Sequence, residues 1–452
     1  MNLAAFHKVY FLGIGGIGMS ALARFFLQRG IEVRGYDKTE TELTKRLAKE
    51  GALIHYADEE ILLWKEADLV VYTPAIPKSN QELNWYEKEN YLVKKRSDVL
   101  QWITESMHAV TVAGTHGKTT ISTMIGYLLR EAGDGCNAFL GGLSVNYETN
   151  YWHSDKDLAV VEADEYDRSF LKLSPDIAVL TSMDADHLDI YGTLEELEKA
   201  FIQYTKNIKP GGTLLVKHGL KHGASLKGPN TLTYSLQNSA ADCYAEDIEQ
   251  HNGGYHFSFV NGEEKIEKLW LPIGGMHNVE NAVAAIAVTQ LLAISPEKVK
   301  EALAGFKGVK RRFEYLVKTE KLVYIDDYAH HPEELAALIN SAKHLFPGRR
   351  CVIAFQPHLY SRTRDLADGF AHALDMADEV ILLEIYPARE LPIPGITAQT
   401  IADKMSNPAH TILSKEGLLQ FVSIAPLDLF ITSGAGDIDK LVPEIKKIFE
   451  SK

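Results

Sequence analysis

The chain has 452 residues, 46% of them hydrophobic and 24% charged. These are ordinary values for a soluble globular protein, but the chain is too long for one hydrophobic core, so two or three domains are expected. Its 47 Lys and Arg stand against 61 Asp and Glu, a formal charge of −14, which argues against a nucleic-acid backbone or an anionic membrane as the main partner.

Residues 9–27 are apolar enough to be mistaken for a leader. They contain Gly13, Gly15, Gly16, Gly18 and Arg24, follow no basic stretch and lack a cleavage site, so a strand, a turn and a helix fit better. Strands are expected at 8–12, 32–36 and 69–72, with a helix over 16–29. A second unit begins at His108 with a strand over 109–113, a glycine-containing loop and a helix from Lys118. Further buried strands are expected at 158–162 and 177–181. Between 243 and 271 apolar and polar residues alternate around Asn-Gly and Gly-Gly turns, the pattern of an antiparallel excursion. A helix rich in Ala and Val covers 278–292. The rhythm then restarts with strands at 322–325, 351–355, 379–383 and 428–432. The fold class expected is α/β in three domains: a Rossmann-like parallel sheet (1–107), a P-loop ATPase-type domain with the antiparallel excursion (108–309), and a second Rossmann-like domain (310–452). Cys136, Cys243 and Cys351 have no metal-site spacing and no even pairing, which suits a reducing cytosol, and no stretch approaches a membrane span. A cytoplasmic protein is expected.

Gly13-Ile14-Gly15-Gly16-Ile17-Gly18 closes a strand and opens a helix, so backbone can approach a diphosphate at a helix N-terminus. Asp37 ends the next strand, where an acid can bond a ribose. The obvious functional reading is a dinucleotide-binding, nicotinamide-dependent oxidoreductase, with a turn needed only for tight packing as the bland one, and the motif by itself does not choose a cofactor. Gly114-Thr115-His116-Gly117-Lys118-Thr119-Thr120 is more specific. Its amides can cradle phosphates, Lys118 can reach β- and γ-phosphates, and the Thr119 hydroxyl can ligate Mg²⁺. Val112 stands where the strict pattern has glycine. Glu162-Ala163-Asp164-Glu165 and Asp184-Ala185-Asp186-His187-Leu188-Asp189 follow at strand ends, where hard Mg²⁺ finds carboxylates. Either alone reads as a solvated loop. His277 and Asn278 open a helix and could simply cap it. His330 and His331 are adjacent and lack metal-site spacing, whereas His, Arg and Tyr near 326–332 and 355–364 suit a carboxylate and a phosphate.

In this order the motifs resemble the Mur ligase family, and within it the members that join L-alanine to the carboxylate of UDP-N-acetylmuramate. The resemblance is carried by 13–23, Thr73-Pro74-Ala75-Ile76-Pro77, 114–120, 162–165, 186–189, 277–282, Arg311-Arg312-Phe313-Glu314, 326–332 and 356–363. It implies an ATP-dependent amide-forming ligase of peptidoglycan precursor synthesis, using Mg²⁺ or, in its place, Mn²⁺, with UDP-N-acetylmuramate, L-alanine and ATP as partners; monomer and homodimer are both open. Gly13, Gly15, Gly16, Gly18, Asp37 and Thr73 would then serve the UDP moiety. Gly114 to Thr120, with His277, Asn278, Asn281, Arg312 and Asp327, would hold ATP. Thr119, Glu162 and His187 would be metal ligands, and Tyr328, His330, His358 and Arg362 would form the amino-acid pocket. Lys118, His187, Arg312 and His330 would carry the chemistry. Leu359 stands where some members have Arg, and Thr181-Ser182-Met183-Asp184 replaces a more usual Thr-Asn-aliphatic-Glu. Phe201 and Ile202 lie where sister ligases have a carbamylated lysine. The nearest alternative is a peptide-recycling ligase acting on the same acceptor; a nucleotide sensor without chemistry is a further one.

Overall fold

A computed structural model describes residues 3–184, 188–388 and 390–451. The first sheet comprises β1 (Lys8–Leu12), β2 (Glu32–Tyr36), β3 (Leu53–His55), β4 (Leu69–Tyr72) and β5 (Val93–Lys95), in the order β3-β2-β1-β4-β5. Every pairing in it is parallel. Strand order therefore reverses between β1 and β4, and such a reversal opens a crevice at the carboxyl ends. The turn after β1 lies there.

The second sheet contains β6 (His108–Ala113), β7 (Asn137–Phe139), β8 (Tyr151–Trp152), β9 (Leu158–Glu162), β10 (Ile177–Leu180), β11 (Thr213–Lys217), β12 (Asn230–Ser235), β13 (Cys243–His251), β14 (Gly254–Asn261) and β15 (Glu264–Leu271). Their order is β15-β14-β13-β12-β11-β10-β6-β9-β7-β8. Strand β6 lies between two parallel neighbours, β10 and β9, and is almost wholly buried, as both faces of such a sheet are covered. The expected antiparallel excursion is present as β13 to β15, but it is not separate. β13 joins β12 in parallel, with Tyr234 opposite Cys243, so the excursion prolongs the sheet. The two-residue link Asn252–Gly253 has positive φ at both positions, 42° and 68°, the signature of a tight hairpin turn.

The third sheet runs β16 (Glu314–Lys318), β17 (Val323–Asp327), β21 (Leu429–Ser433), β18 (Cys351–Phe355), β19 (Glu379–Leu382), β20 (His410–Ile412). Its β16 edge is antiparallel and the rest is parallel. Among the described residues no helix is long and apolar enough to cross a membrane.

The chain divides into two compact units: Met1–Glu246 with Ser258–Leu269 and Glu280–Gly305, and Asp247–Phe257 with Trp270–Val279 and Phe306–Lys452. Within the first, one core cluster runs from Phe6 to Leu226. The helix Ile17–Leu27 supplies Phe25, whose ring lies 5.3 Å from Phe139 on β7 and 6.2 Å from Tyr151 on β8. A buried polar seam lies beside these rings. Arg24 donates to Glu50 at 2.7 and 2.9 Å and to Asn150 Oδ1. Asn150 Nδ2 in turn donates to Ile17 O at 2.5 Å and Ser20 Oγ at 3.0 Å. Asn150 and Ser20 are fully buried, so each donor here needs its acceptor.

On the other face of the first sheet, Tyr10 donates to the wholly buried carboxyl of Glu82 and lies 2.7 Å from His55 Nε2. Burial pushes Glu82 up to about 7. The folded state therefore holds this proton more tightly than the unfolded chain does. The stability it contributes is full below the ordinary carboxyl range and is lost as pH rises through about 7. Melting curves should fall between about pH 5 and about pH 8 in the native chain and flatten in Glu82→Gln. Parallel slopes for the two proteins would disprove the burial argument.

Candidate active site

The glycine turn after β1 is built for close approach. Gly13 has φ of 84°, and a Cβ there would lie 2.6 Å from Thr73 Cγ2; one at Gly15 would lie 2.8 Å from Asp37 Oδ2. Gly15 N donates to that oxygen at 2.7 Å and Thr39 N to Oδ1 at 3.2 Å. Asp37 and Thr73 thus meet the glycines, and the Asp37 carboxylate accepts from one amide of the loop and from Thr39 N. Gly16 caps the helix without a side-chain hydrogen bond, leaving first-turn amides for an anion.

The second loop leaves β6 at Gly114, φ 126°, where a Cβ would lie 2.1 Å from Thr181 Oγ1 and 2.8 Å from Ser182 N. Only glycine fits. Gly117, φ 82°, begins the helix Lys118–Glu131 in left-handed conformation, and a Cβ there would lie 2.9 Å from Asn281 Oδ1. Asn281 therefore borders the loop. Val112 lies within β6 and is fully buried. The strand continues to Ala113, which is why the glycine of the strict pattern is absent. The loop is braced from the end of β10. Thr115 Oγ1 is 2.8 Å from Ser182 Oγ, which accepts from His116 N at 2.9 Å, and Thr181 Oγ1 donates to His116 O at 2.5 Å. Ser182, a departure from the usual family pattern, thus acts as a brace. Thr120 is buried in the helix behind.

Two carboxylates face this loop. Lys118 Nζ donates to Gly114 O at 2.6 Å and to Glu165 Oε1 at 2.8 Å, with the lysine side chain 13% exposed and Glu165 fully buried. Thr119 Oγ1 donates to Glu162 Oε1 at 3.0 Å, and Gly141 N to Glu162 Oε2 at 2.9 Å. Burial pushes both carboxyls upward, opposed by the Lys118 ammonium. A hydroxyl and a half-buried carboxylate side by side at the phosphate loop are a donor set that fits a hard divalent cation. His187, the third expected ligand, lies outside the described residues, as do Ala185 and Asp186. Among the described residues no group of three or more His, Cys, Asp or Glu is arranged to hold a metal.

The remaining expected residues belong to the second compact unit. Asn278 Nδ2 donates to Gly274 O at 2.6 Å, a turn-capping bond at the start of the helix Met276–Leu291, next to the exposed His277. Asp327 ends β17 and accepts from Phe313 N at 2.6 Å and Ala329 N at 2.7 Å. Its carboxyl is raised by burial and lowered by Arg312. Arg311 and Phe313, both left-handed at φ 61° and 50°, flank Arg312, whose guanidinium lies 5.5 Å from the Tyr328 ring. His330 Nδ1 is 3.0 Å from Tyr328 O, its ring is 6.3 Å from that of His358, and His358 stacks on Tyr386 at 5.9 Å. Burial lowers the His330 pKa, Glu334 opposes this, and Arg362 and Arg312 lower it further. Arg312, Asp327, Tyr328, His330, His358 and Arg362 thus form one neighbourhood. Leu359 caps the helix Tyr360–Leu374 with φ of 70°, a costly conformation for a branched side chain.

Three family models match the chain: Mur ligase family, catalytic domain, over residues 8–108; Mur ligase middle domain over 112–289; and Mur ligase, glutamate ligase domain, over 311–436. The chain belongs to the Mur ligase family. The UDP-N-acetylmuramate–L-alanine ligase of Parabacteroides distasonis is 48% identical over 455 residues, covering 99% of this chain and 98% of that one. The crystal structure of the UDP-N-acetylmuramate-alanine ligase MurC from Thermotoga maritima superposes with a TM-score of 0.83 at 28% identity, covering 98% and 99% of the two chains. A murein peptide ligase from Psychrobacter arcticus superposes at 0.67 with 23% identity over 99% of each chain, a likeness of fold. Sequence reasoning had missed Glu165 as the partner of Lys118 and the bracing role of Ser182. Glu165 lies within Glu162-Ala163-Asp164-Glu165, but no spacing marks it out from Asp164.

Proposed function

We propose that this chain is an ATP-dependent ligase joining L-alanine to the carboxylate of UDP-N-acetylmuramate. The observation that carries the reading is the loop in which Lys118 and Thr119 bond the carboxylates of Glu165 and Glu162, on a chain that matches L-alanine ligases over nearly its full length. Residues 1–107 would bind the UDP moiety, 108–309 ATP, and 310–452 would bring Arg312 and Asp327 to the nucleotide and the His330 neighbourhood to the amino acid.

A carboxylate does not accept an amine at neutral pH, because its oxygen is a poor leaving group. Attack of a carboxylate oxygen on the γ-phosphorus of ATP breaks the bond to the β-phosphate oxygen, releasing ADP and forming an acyl phosphate. The amine of L-alanine then adds to the carbonyl carbon and loses a proton; the tetrahedral species collapses with inorganic phosphate as leaving group, giving the amide. The chain's task is to align anions and neutralise developing charge. Lys118, held by Gly114 O and Glu165, presents its ammonium at the phosphate loop. Thr119 and Glu162 would hold Mg²⁺, which when bound offsets phosphate charge. The lowered pKa of His330 keeps it neutral at pH 7, able to accept a proton in the amino-acid pocket. Such a reaction belongs in the cytoplasm, where ATP and UDP-sugars are found.

Phosphate release should require UDP-N-acetylmuramate and an amino acid together, fastest with L-alanine against glycine and L-serine. Equal rates with a preformed tripeptide would favour the peptide-recycling ligase, and release without any acceptor would remove the ligase reading.

A further inference from the structure

The first residue of the helix Arg96–Ser106 is a cation that neither the motifs nor the family resemblance singles out. Its side chain is only 19% exposed, yet its one ion contact among the described residues is long, Nη2 to Asp164 Oδ2 at 3.9 Å. Among the described residues its guanidinium makes no hydrogen bond. Five N–H donors four-fifths withdrawn from water and paired this loosely leave acceptors to be supplied. Asp164 cannot come closer cheaply, because its Oδ1 accepts from Tyr166 N at 3.1 Å and fixes the turn.

The position of the guanidinium is specific. A Cβ at Gly18 would lie 3.0 Å from Arg96 Nη1 and 3.1 Å from its Cδ. The last glycine of the first loop is therefore bare so that Arg96 can lie along the first turn of the helix Ile17–Leu27. On its other side Arg96 shares a narrow recess with Glu162, Asp164 and Ser169 at the end of β9. It thus spans from the glycine loop to the carboxylate that bonds Thr119.

Resting on the ligase reading above, we infer that Arg96 is a substrate-binding residue whose guanidinium fork receives an oxyanion of the UDP-muramyl substrate. A molecule with its diphosphate at the glycine loop and its reacting carboxylate beside the phosphate loop must pass this side chain. Both groups are planar-edged or tetrahedral oxyanions of the kind a guanidinium binds through two parallel N–H bonds. The shared chemistry is an anionic oxygen pair; the diphosphate and the carboxylate are its two sources.

The test compares wild type, Arg96→Gln and Arg96→Lys by calorimetric titration of UDP-N-acetylmuramate, of UDP-N-acetylglucosamine and of ATP. UDP-N-acetylglucosamine carries the diphosphate without the carboxylate. Arg96→Gln should weaken UDP-N-acetylmuramate at least tenfold while leaving the ATP titration unchanged, and Arg96→Lys, which keeps the charge but loses the fork, should recover part of the loss. Weakening of both sugar nucleotides assigns the fork to the diphosphate, and weakening of the muramyl compound alone assigns it to the carboxylate. Unchanged binding of UDP-N-acetylmuramate to Arg96→Gln overturns the inference and leaves the ligase reading standing. ATP and sugar nucleotide weakened alike would mark a folding defect and also overturn it. A wild-type protein that binds no UDP-N-acetylmuramate would remove the ligase reading itself.

Discussion

Lys118→Ala should lower phosphate release at least about 10³-fold, the scale expected when a preorganised charge at the transferring phosphoryl group is lost. The fold should survive. Lys118 lies at the first turn of its helix, and its bonds are to Gly114 O, Thr115 O and Glu165. Removing the ammonium strips Glu165 of its cation, but burial already favours the neutral carboxyl there, so a proton replaces the lost partner. Far-UV spectra should therefore match wild type while turnover disappears. A variant with a native spectrum and near-normal phosphate release would refute the role given to the loop. Lys118→Arg is expected to fail too, since its longer, planar head must fit between the Gly114 carbonyl and a fully buried acid.

Arg311→Ala should cause the largest loss of stability. Arg311 Nε donates to Asp326 Oδ2 at 3.2 Å, its Nη2 donates to Gly434 O, and Nη1 lies 3.8 Å from Asp439 Oδ2. Asp326 is 1% exposed and also accepts from Thr432 Oγ1 at 2.6 Å. Breaking such a pair from one side leaves a buried charge and costs about 3–5 kcal/mol. The sign with pH follows from Asp326. Burial already pushes its carboxyl up to about 7 despite Arg311 and Thr432. Folded Asp326 therefore binds its proton more tightly than the unfolded chain, and that stability is lost as pH rises through about 7. Without Arg311 the folded value moves higher still, and the loss extends further into the alkaline range. The gap in melting temperature between wild type and Arg311→Ala should thus be wider at about pH 8 than at about pH 6. A gap that is equal at both, or absent, would contradict the ion-pair account. Arg311 N donates to Glu314 at 2.9 Å and Tyr328 N donates to Arg311 O at 2.7 Å; these are main-chain bonds that the variant retains.

Much of this was legible in the chain itself. Buried parallel strands announce themselves as apolar runs, so β1, β6, β9, β10, β18 and β21 fall within a residue or two of expectation. Both glycine loops were visible because a turn that needs positive φ or a missing Cβ leaves a residue type in the sequence, as Gly13 and Gly114 do. Short strands did not announce themselves. β7 and β8 have three and two residues, too few to carry any period, and they pair only because the central sheet offers them an edge. The alternation of 243–271 revealed the hairpins but not the neighbour that β13 would choose, since pairing partners are not local information. Arg96 meets Gly18 across 78 positions of chain, and Glu165 meets Lys118 across 47. Asn278 illustrates the opposite limit: capping and base recognition were both open from its position, and its Nδ2 makes a capping bond to Gly274 O.

The seam formed by Arg24, Asn150 and Ile17 bears on how this protein could be cut into pieces. A fragment ending near residue 107 would leave the Phe25 face without Phe139 and Tyr151, and a fragment starting there would leave Asn150 without acceptors for its amide. Either piece made alone should precipitate or bind hydrophobic dyes, whereas the two co-expressed should recover each other. The three family segments suggest modular inheritance, but the first and most of the second lie in one compact unit and are expected to fold as one body.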